Sequence, residues 1–218
     1  MAPTYRGVEA LLAEFATKER EIRVRLDDFR RIGRRPDRDL FHELCFCLLA
    51  IQTKARGSDA AVRGLLEEDL LWSGDERSIA SWLRHRVRFH NHKASYLVRA
   101  RDRFFADGKP TLRAALDRLG SPEATRAWLV DEVDGLGMKE ASHLLRNIGR
   151  GESLAILDRH ILRNLVRHRV IARVPTTLTP RRYLAIEARM HRFAEHVGIS
   201  VAALDLLLWS RETGEIFK

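Results

Sequence analysis

The sequence places a lysine where its side chain could act as a nucleophile. Lys139 lies in the first turn of a predicted helix, directly after the segment Gly135-Leu-Gly137. The helix dipole disfavours a positive charge at this end, so stability alone is a poor reason for a lysine there. The same field, aided by desolvation, favours a neutral amine, which can attack carbon. A lysine that binds phosphate or faces solvent is the alternative at this position.

An aspartate further along the chain is a candidate partner for this amine. Asp158 follows a short apolar segment and precedes the apolar positions of another predicted helix. A helix cap is the ordinary explanation of a lone aspartate at such a place. The spacing of 19 residues from Lys139 (158 − 139), together with the glycine-rich turn, favours a functional role beyond capping.

The glycines before Lys139 predict a tight turn between two helices. One helix is predicted over 124–132, and a second begins at about Met138. Gly135 and Gly137 would leave backbone amides exposed at a helix N-terminus, which is a ready site for a phosphate. Leu136 would fill the space between the helices. The buried stripe of the second helix is predicted at Ala141, Leu144, Leu145 and Ile148. An ordinary helix-helix turn is the alternative.

The charge balance favours a polyanionic partner. The chain has 39 Lys and Arg against 30 Asp and Glu, which gives a net charge of +9. Basic side chains that displace counterions from phosphates supply most non-specific affinity for nucleic acid. A basic protein with well-solvated faces is the other interpretation of charge alone.

Composition also excludes several classes of protein. Hydrophobic residues make up 45% of the 218, which is enough for a packed core. The longest apolar stretches fall well short of the roughly 20 residues that a spanning helix needs, so no membrane is expected. The acidic residues among the first 20 disfavour an export or transit signal. Cys45 and Cys47 are too few for a four-cysteine iron–sulfur cluster and too close for a disulfide, so we expect packing roles in an intracellular setting.

Helical periodicity dominates the chain, and we predict an all-α fold. Residues 39–50 are apolar almost all round, which is typical of a buried helix, and 8–20 form an amphipathic one. Gly198 would end a helix that starts after Thr179. The predicted N-caps are Ser58, Ser78, Thr111, Ser121 and Thr179.

Three motifs together resemble one known family. They are GMKEASHLLRNIG at 137–149, LDRHI at 157–161 and WSRETGEIFK at 209–218. The hairpin lysine followed by a loop and Asp158 is similar to the helix-hairpin-helix DNA glycosylase superfamily. Within it, the motifs resemble the second-type 8-oxoguanine DNA glycosylase/AP lyases of archaea and some bacteria. The resemblance runs from about Asp39 to the last residue, although the loop before Asp158 lacks the usual proline.

The resemblance implies removal of 8-oxoguanine from double-stranded DNA and strand cleavage at the resulting abasic site. The damaged nucleotide is flipped out of the duplex, and the neutral amine of Lys139 attacks C1′. Asp158 stabilises the cationic sugar and helps the lysine lose its proton. The adduct becomes a Schiff base, which permits β-elimination. A monomer in the cytoplasm, associated with the nucleoid, is expected, with no cofactor and no required metal.

Base recognition in this branch involves the last part of the chain. The resemblance implies that Trp209 stacks on the oxidised base and that the terminal Lys218 folds into the pocket. Asp205 and Met138 are further candidates for contact with the base. Core packing of Trp209 and a frayed end at Lys218 are the alternatives.

Several segments are expected to contact the DNA backbone or the gap left by the flipped base. In the family, the residue at Gln52 lies near that gap. The basic segment 85–93 suits phosphates, with Phe89 as a stacking wedge; a solvated turn with Phe89 in the core is the alternative. The predicted DNA contacts are Gln52, Arg88, Phe89, Asn91, Lys93, Gly135, Gly137 and His160. Family members also bind a monovalent cation on hairpin carbonyls, here those of Asp131, Val133 and Leu136.

We expect two helical subdomains flanking an active-site cleft. A central bundle over 57–164 carries the hairpin at about 124–149, and 1–56 joins 165–218 in the second subdomain. Two other functions remain open at this point. A glycosylase for another damaged or mismatched base would usually carry the four-cysteine cluster. A non-catalytic helix-hairpin-helix protein would need the glycines but neither Lys139 nor Asp158.

Overall fold

The computed structural model describes residues 4–218, and the prediction of an all-α fold is confirmed. Within this range there are twelve α-helices and no strand. The first six are α1 (Val8–Ile32), α2 (Asp37–Ala50), α3 (Ala55–Glu67), α4 (Leu70–Ser73), α5 (Glu76–Leu83) and α6 (His90–Phe104). A 3-10 turn at Ala106–Gly108 separates these from α7 (Leu112–Asp117), α8 (Pro122–Glu132), α9 (Met138–Asn147), α10 (Arg159–Arg167), α11 (Pro180–Val197) and α12 (Val201–Thr213).

Local capping chemistry accounts for several helix boundaries. The Ser121 hydroxyl accepts from the amide of Ala124, and Thr179 caps α11 in the same way, as predicted. Gly198 ends α11 in the left-handed conformation. The predicted caps at Ser58 and Ser78 are wrong, because each serine lies inside its helix. For the second of these helices, α5, Asp75 is the cap, since its carboxylate accepts from the Ser78 amide.

The chain packs as two compact units. The first, unit 1, combines the described residues up to Arg31 with Leu145–Lys218, and unit 2 is Ile32–Leu144. The sequence prediction instead divides the chain at 56/57 and 164/165. The first boundary differs because α2 packs against α3, α6 and α7, which groups it with the middle of the chain.

The core of unit 2 is built around α2. This helix is buried from Leu40 to Leu49 apart from His42, in agreement with its apolar sequence on all sides. Cys45 and Cys47 are buried in it, and burial raises the pKa of the Cys45 thiol well above its usual value. Helices α5 and α6 pack together beside it.

The core of unit 1 lies among α10, α11 and α12. The last of these is buried along most of its length, since all of its first eight residues are buried. In α11, the buried positions follow helical spacing and leave an exposed arginine-rich face.

No single helix among the described residues has the length and apolarity to cross a membrane. Helices α11 and α12 pass such a test only when taken together, and the chain bends by 94° between them.

Candidate active site

The turn between α8 and α9 requires glycine at position 135. Gly135 has φ of +87°, in the left-handed region that favours glycine. A Cβ atom there would also lie 2.5 Å from Cδ2 of Tyr96 on α6. The turn is held to α6 by an ion pair from Arg99 to Asp134 at 2.7 Å. The hairpin therefore packs directly on α6.

The rest of the hairpin agrees with the sequence prediction. Leu136 is buried, and α9 begins at Met138. The carbonyl of Gly137 accepts the first helical bond from the Ala141 amide at 2.9 Å. Amides in the first turn of a helix have no intrahelical partner, so they are oriented for an anion. The buried Arg126 of α8 also donates to Ser142 of α9, a contact that the sequence did not predict.

Lys139 is the second residue of α9, and its side chain is partly buried, with 23% exposed. Its Nζ lies 3.5 Å from Oε1 of Glu140, whose side chain is 17% exposed. The amine is thus reachable from outside and has a carboxylate beside it. The sequence prediction did not include Glu140, because adjacent residues on a helix do not ordinarily face each other.

In unit 1, Asp158 is the N-cap of α10. Its Oδ1 accepts from the amide of Ile161 at 2.8 Å, and its side chain is partly exposed. The capping function that the sequence allowed is therefore present, and the hydrogen bond fixes the orientation of the carboxylate. Lys139 belongs to unit 2.

Two side chains of α11 hold the segment that leads to Asp158. The Tyr183 hydroxyl donates to the carbonyl of Ala155 at 2.6 Å and accepts from the amide of Leu157 at 3.3 Å. Glu187 accepts from the Ala155 amide at 2.8 Å. These buried contacts satisfy an extended backbone that has no strand partner. The only sequence signal for them is a Tyr and a Glu, spaced i,i+4, on the apolar face of a helix.

Glycines permit the same segment to pass close to its neighbours. A Cβ atom at Gly149, where φ is +66°, would lie 2.7 Å from Cα of Arg30. One at Gly151 would lie equally close to Cβ of Leu145. The loop that departs from the family by lacking a proline is thus determined by close packing within unit 1.

Helix α10, which begins after Asp158, is joined to α12 by polar contacts. The buried Asn164 amide donates to the carbonyl of Leu208 at 3.4 Å and to Oε1 of Glu212 at 3.2 Å. Nδ1 of His160 lies 3.8 Å from Oε2 of the same glutamate. His160 is half-buried, so the predicted phosphate contact requires its ring to move away from Glu212.

Asp205 is part of a buried ion pair. Its Oδ2 lies 2.5 Å from Nη1 of Arg146, and the two side chains are 5% and 3% exposed. Arg146 also donates to Asn147 and lies over the ring of Phe29, at 5.1 Å from the centroid. The sequence prediction treated Asp205 as a base contact and did not include its arginine partner.

The end of the chain is packed. Ile216 and Phe217 are buried, at 6% and 7% exposed, and Lys218 is half-buried. Trp209 is also half-buried, on α12, so part of its ring remains accessible. The frayed end that the sequence left open is therefore excluded.

The predicted DNA-facing residues of unit 2 divide into two groups. Gln52, Arg88, Phe89 and Asn91 are exposed. Phe89 is 48% exposed and has φ of 56°, which excludes the alternative that placed its ring in the core. Arg88 lies over that ring, at 5.3 Å from its centroid.

Lys93 is different, and the prediction that it contacts DNA directly is wrong, because its side chain is buried. Its side chain is 1% exposed, and its Nζ donates to backbone and side-chain oxygens of the α2–α3 connection. Burial, followed by the charge of Arg88, lowers the pKa of Lys93 to about 8. The helical position of Lys93 determines this, because its neighbours at 91 and 92 are exposed while 93 and 94 face the core.

The glycine hairpin, the accessible first-turn lysine and the capping aspartate are the features on which the resemblance to the helix-hairpin-helix class of DNA glycosylases rests. Comparison with known proteins specifies the family. The family model Ogg-HhH, described as 8-oxoguanine DNA glycosylase, matches residues 22–199. The chain belongs to this family, which confirms the resemblance inferred from its motifs.

Relatives match over nearly their whole length. The chain is 40% identical over 215 residues to the 8-oxoguanine DNA glycosylase/AP lyase of Fusobacterium nucleatum, covering 98% of this chain and 97% of that protein. The crystal structure of the Methanocaldococcus jannaschii 8-oxoguanine DNA glycosylase has a TM-score of 0.86 and 30% identity, over 97% and 95% of the two chains. A structure of the glycosylase/lyase from that organism with a 15mer DNA containing 8-oxoguanine has a TM-score of 0.85 and 29% identity, over 96% and 100%.

Proposed function

We propose that this protein excises 8-oxoguanine from double-stranded DNA and then cleaves the strand at the abasic site, with Lys139 as nucleophile and Asp158 as its carboxylate partner. The observation that carries the proposal is the partly buried lysine in the first turn after the glycine hairpin. The relatives named for both activities support the same function.

Excision begins with attack of the neutral amine. The Nζ–C1′ bond forms while the bond from C1′ to the base breaks, and the base leaves with the bonding electrons and takes up a proton. Nζ loses a proton to the Asp158 carboxylate, which passes it on to the departing base and so becomes a carboxylate again. A second carboxylate, that of Glu140, lies beside this amine, with its Oε1 3.5 Å from Nζ.

Strand cleavage follows from the same adduct. Opening of the sugar ring gives a Schiff base between Lys139 and C1′, which acidifies the hydrogens on C2′. Loss of one such proton expels the 3′ phosphate, and hydrolysis then releases the lysine. The Asp158 carboxylate, oriented by the Ile161 amide, stabilises the positive charge on the sugar and the iminium.

The hairpin would hold a phosphate near the lesion through the backbone amides around Gly135 and Gly137. The carbonyls of Asp131, Val133 and Leu136 would hold a monovalent cation. They fit such an ion, because carbonyls in and after the last turn of α8 lack full helical partners and hard cations prefer oxygen. The Val133 carbonyl accepts from the Leu136 amide, which leaves one of its two lone pairs. The cation would add positive charge for the phosphate.

The remaining contacts divide between the duplex and the base. Arg88, Asn91 and His160 would bind phosphates, with Phe89 as a wedge and Gln52 at the gap left by the flipped nucleotide. The exposure of Gln52, Arg88, Phe89 and Asn91 supports these functions, and His160 is half-buried. The base would be recognised by Trp209, Lys218, Met138 and Asp205, the last of them in its ion pair with Arg146. The protein would act as a monomer in the cytoplasm, at the nucleoid.

The proposal is tested by borohydride trapping on a duplex with one 8-oxoguanine, comparing wild type with Lys139→Gln and Asp158→Asn. Wild type should give a covalent complex, which disappears in Lys139→Gln and forms more slowly in Asp158→Asn. A complex with a plain abasic site but not with 8-oxoguanine would retain the chemistry and indicate another lesion. No complex with either DNA would favour the non-catalytic binding protein.

A further inference from the structure

Lys93 is a fully buried lysine that the proposed chemistry does not use. It lies in the first turn of α6, and 1% of it is exposed. A buried ammonium is tolerated only where its protons are bound. Nζ donates to the carbonyls of Leu49 and Ile51, both at 2.7 Å, and to the hydroxyl of Thr53 at 2.8 Å. An ammonium has three protons, so all three are accounted for.

The three acceptors belong to one short connection, the 49–53 turn. Leu49 is in the last turn of α2, where carbonyls lack helical partners and the helix dipole is negative. Ile51 is the C-cap in an extended conformation, and the Thr53 amide returns to the carbonyl of Ala50 at 3.2 Å. The ammonium therefore replaces the missing helical hydrogen bonds and determines which way two carbonyls of the turn point.

Gln52 lies at the outer corner of this turn. It is exposed, and its φ of 51° is unfavourable for a residue with a side chain. Such a conformation persists only where the surroundings hold it. Lys93 binds oxygens of Ile51 and Thr53, the residues on either side of Gln52, and so restrains the Gln52 backbone.

We propose that Lys93 is a positioning residue, whose ammonium fixes the 49–53 turn so that Gln52 is presented to the gap left by the flipped nucleotide. This inference rests on the proposed function, in which Gln52 contacts that gap. The backbone amide of Lys93 also donates to the carbonyl of Phe89 at 3.0 Å, in the regular pattern of the first turn of α6. The same residue thus couples two DNA-facing elements of unit 2, the Gln52 turn and the Phe89 wedge.

The first test compares wild type with Lys93→Met, which keeps the length of the side chain and removes the protons. Single-turnover excision of 8-oxoguanine should slow about tenfold or more, the scale for a displaced group that supports a reaction. Cleavage at a preformed abasic site should fall much less, because that nucleotide leaves the stack without help. Hydrogen exchange of the amides at 51–53 should rise in the variant. Unchanged exchange at these amides would overturn the inference.

A double-mutant cycle separates positioning from general destabilisation. If Lys93 acts through Gln52, Lys93→Met should slow excision by no more than about twofold in a Gln52→Ala background. Additive losses would overturn the inference. Arg101→Met is the matched control, because Arg101 donates in the same manner to the carbonyls of Leu71 and Gly74, away from this turn. Arg101→Met should leave the ratio of excision rate to cleavage rate at the wild-type value. A change in this ratio as large as that in Lys93→Met would overturn the positioning role of Lys93.

Thr53→Val provides a second variant if Lys93→Met fails to fold. It removes one of the three acceptors and should slow excision in the same direction by a smaller factor, whereas wild-type excision would reject the inference. Borohydride trapping separates this proposal from the one on which it rests. No trapped complex in wild type refutes the proposed function, while normal trapping with additive losses refutes only the positioning role of Lys93.

Discussion

Loss of Arg146 should destabilise the protein by an amount that the geometry of its ion pair predicts. Its guanidinium and the Asp205 carboxylate are 3% and 5% exposed, with 2.5 Å between the closest atoms. Charge centres about 4 Å apart at an effective dielectric of about 20 interact by roughly 4 kcal/mol. Removing one partner of a buried pair costs about 3–5 kcal/mol, because the other charge stays buried. For a chain of this size, Arg146→Met should lower Tm by roughly 6–20 °C.

Thermal and urea unfolding of wild type and three variants would measure this. Arg146→Met/Asp205→Leu should recover most of the loss, because an apolar pair of similar volume needs no compensating charge. Arg30→Met is the surface control: Arg30 binds Glu152 at 2.6 Å, but 45% of its side chain is exposed, so its loss should cost about 1 kcal/mol or less. A loss below about 1 kcal/mol for Arg146→Met, or a double variant as unstable as the single, would refute the reasoning.

Three further predictions concern the hairpin, a buried histidine and the chain end. Gly135→Ala should lower both stability and DNA affinity, because its φ is +87° and the new methyl would meet Tyr96; wild-type melting and binding would contradict this. Burial lowers the pKa of His168, so the folded state favours the neutral ring, and stability should fall as pH drops below about 6.5. Urea unfolding at pH 7.5 and 5 should show a smaller loss in His168→Gln, which also lacks the contact with Arg211, and an equal loss would exclude this histidine. Deleting Lys218 should reduce the ratio of excision rates for 8-oxoguanine over guanine. An unchanged ratio in single-turnover assays would show that Lys218 has no function in base recognition.

Local signals predicted the parts of the site that depend on short stretches of chain. The hairpin could be predicted because its features occupy a few adjacent positions. These are the positive φ at Gly135, the apolar Leu136 and the start of α9 at Met138. Asp158 was identified as a cap because a cap is a property of the four residues that follow it. The lysine was identified because its charge conflicts with the end of the helix on which it lies.

Long-range contacts decided what the pattern of residue types could not. Lys93 is a cation in a basic segment, which is typical of a DNA contact. Its side chain instead binds oxygens at the end of α2, which lie 40 or more residues earlier in the chain. Asp205 has its partner on a helix 59 residues away. Tyr183 and Glu187 meet the backbone before Asp158 only because α11 returns across it.

The sequence by itself therefore determined the helical class, the hairpin and the family, and it predicted the nucleophile, because each depends on residue types at short, fixed spacing. The tertiary structure decided which cations are exposed and which are buried, and how the chain divides into units. Those properties depend on which helix faces meet, and a buried lysine with three acceptors has the same local sequence signal as one that binds a phosphate.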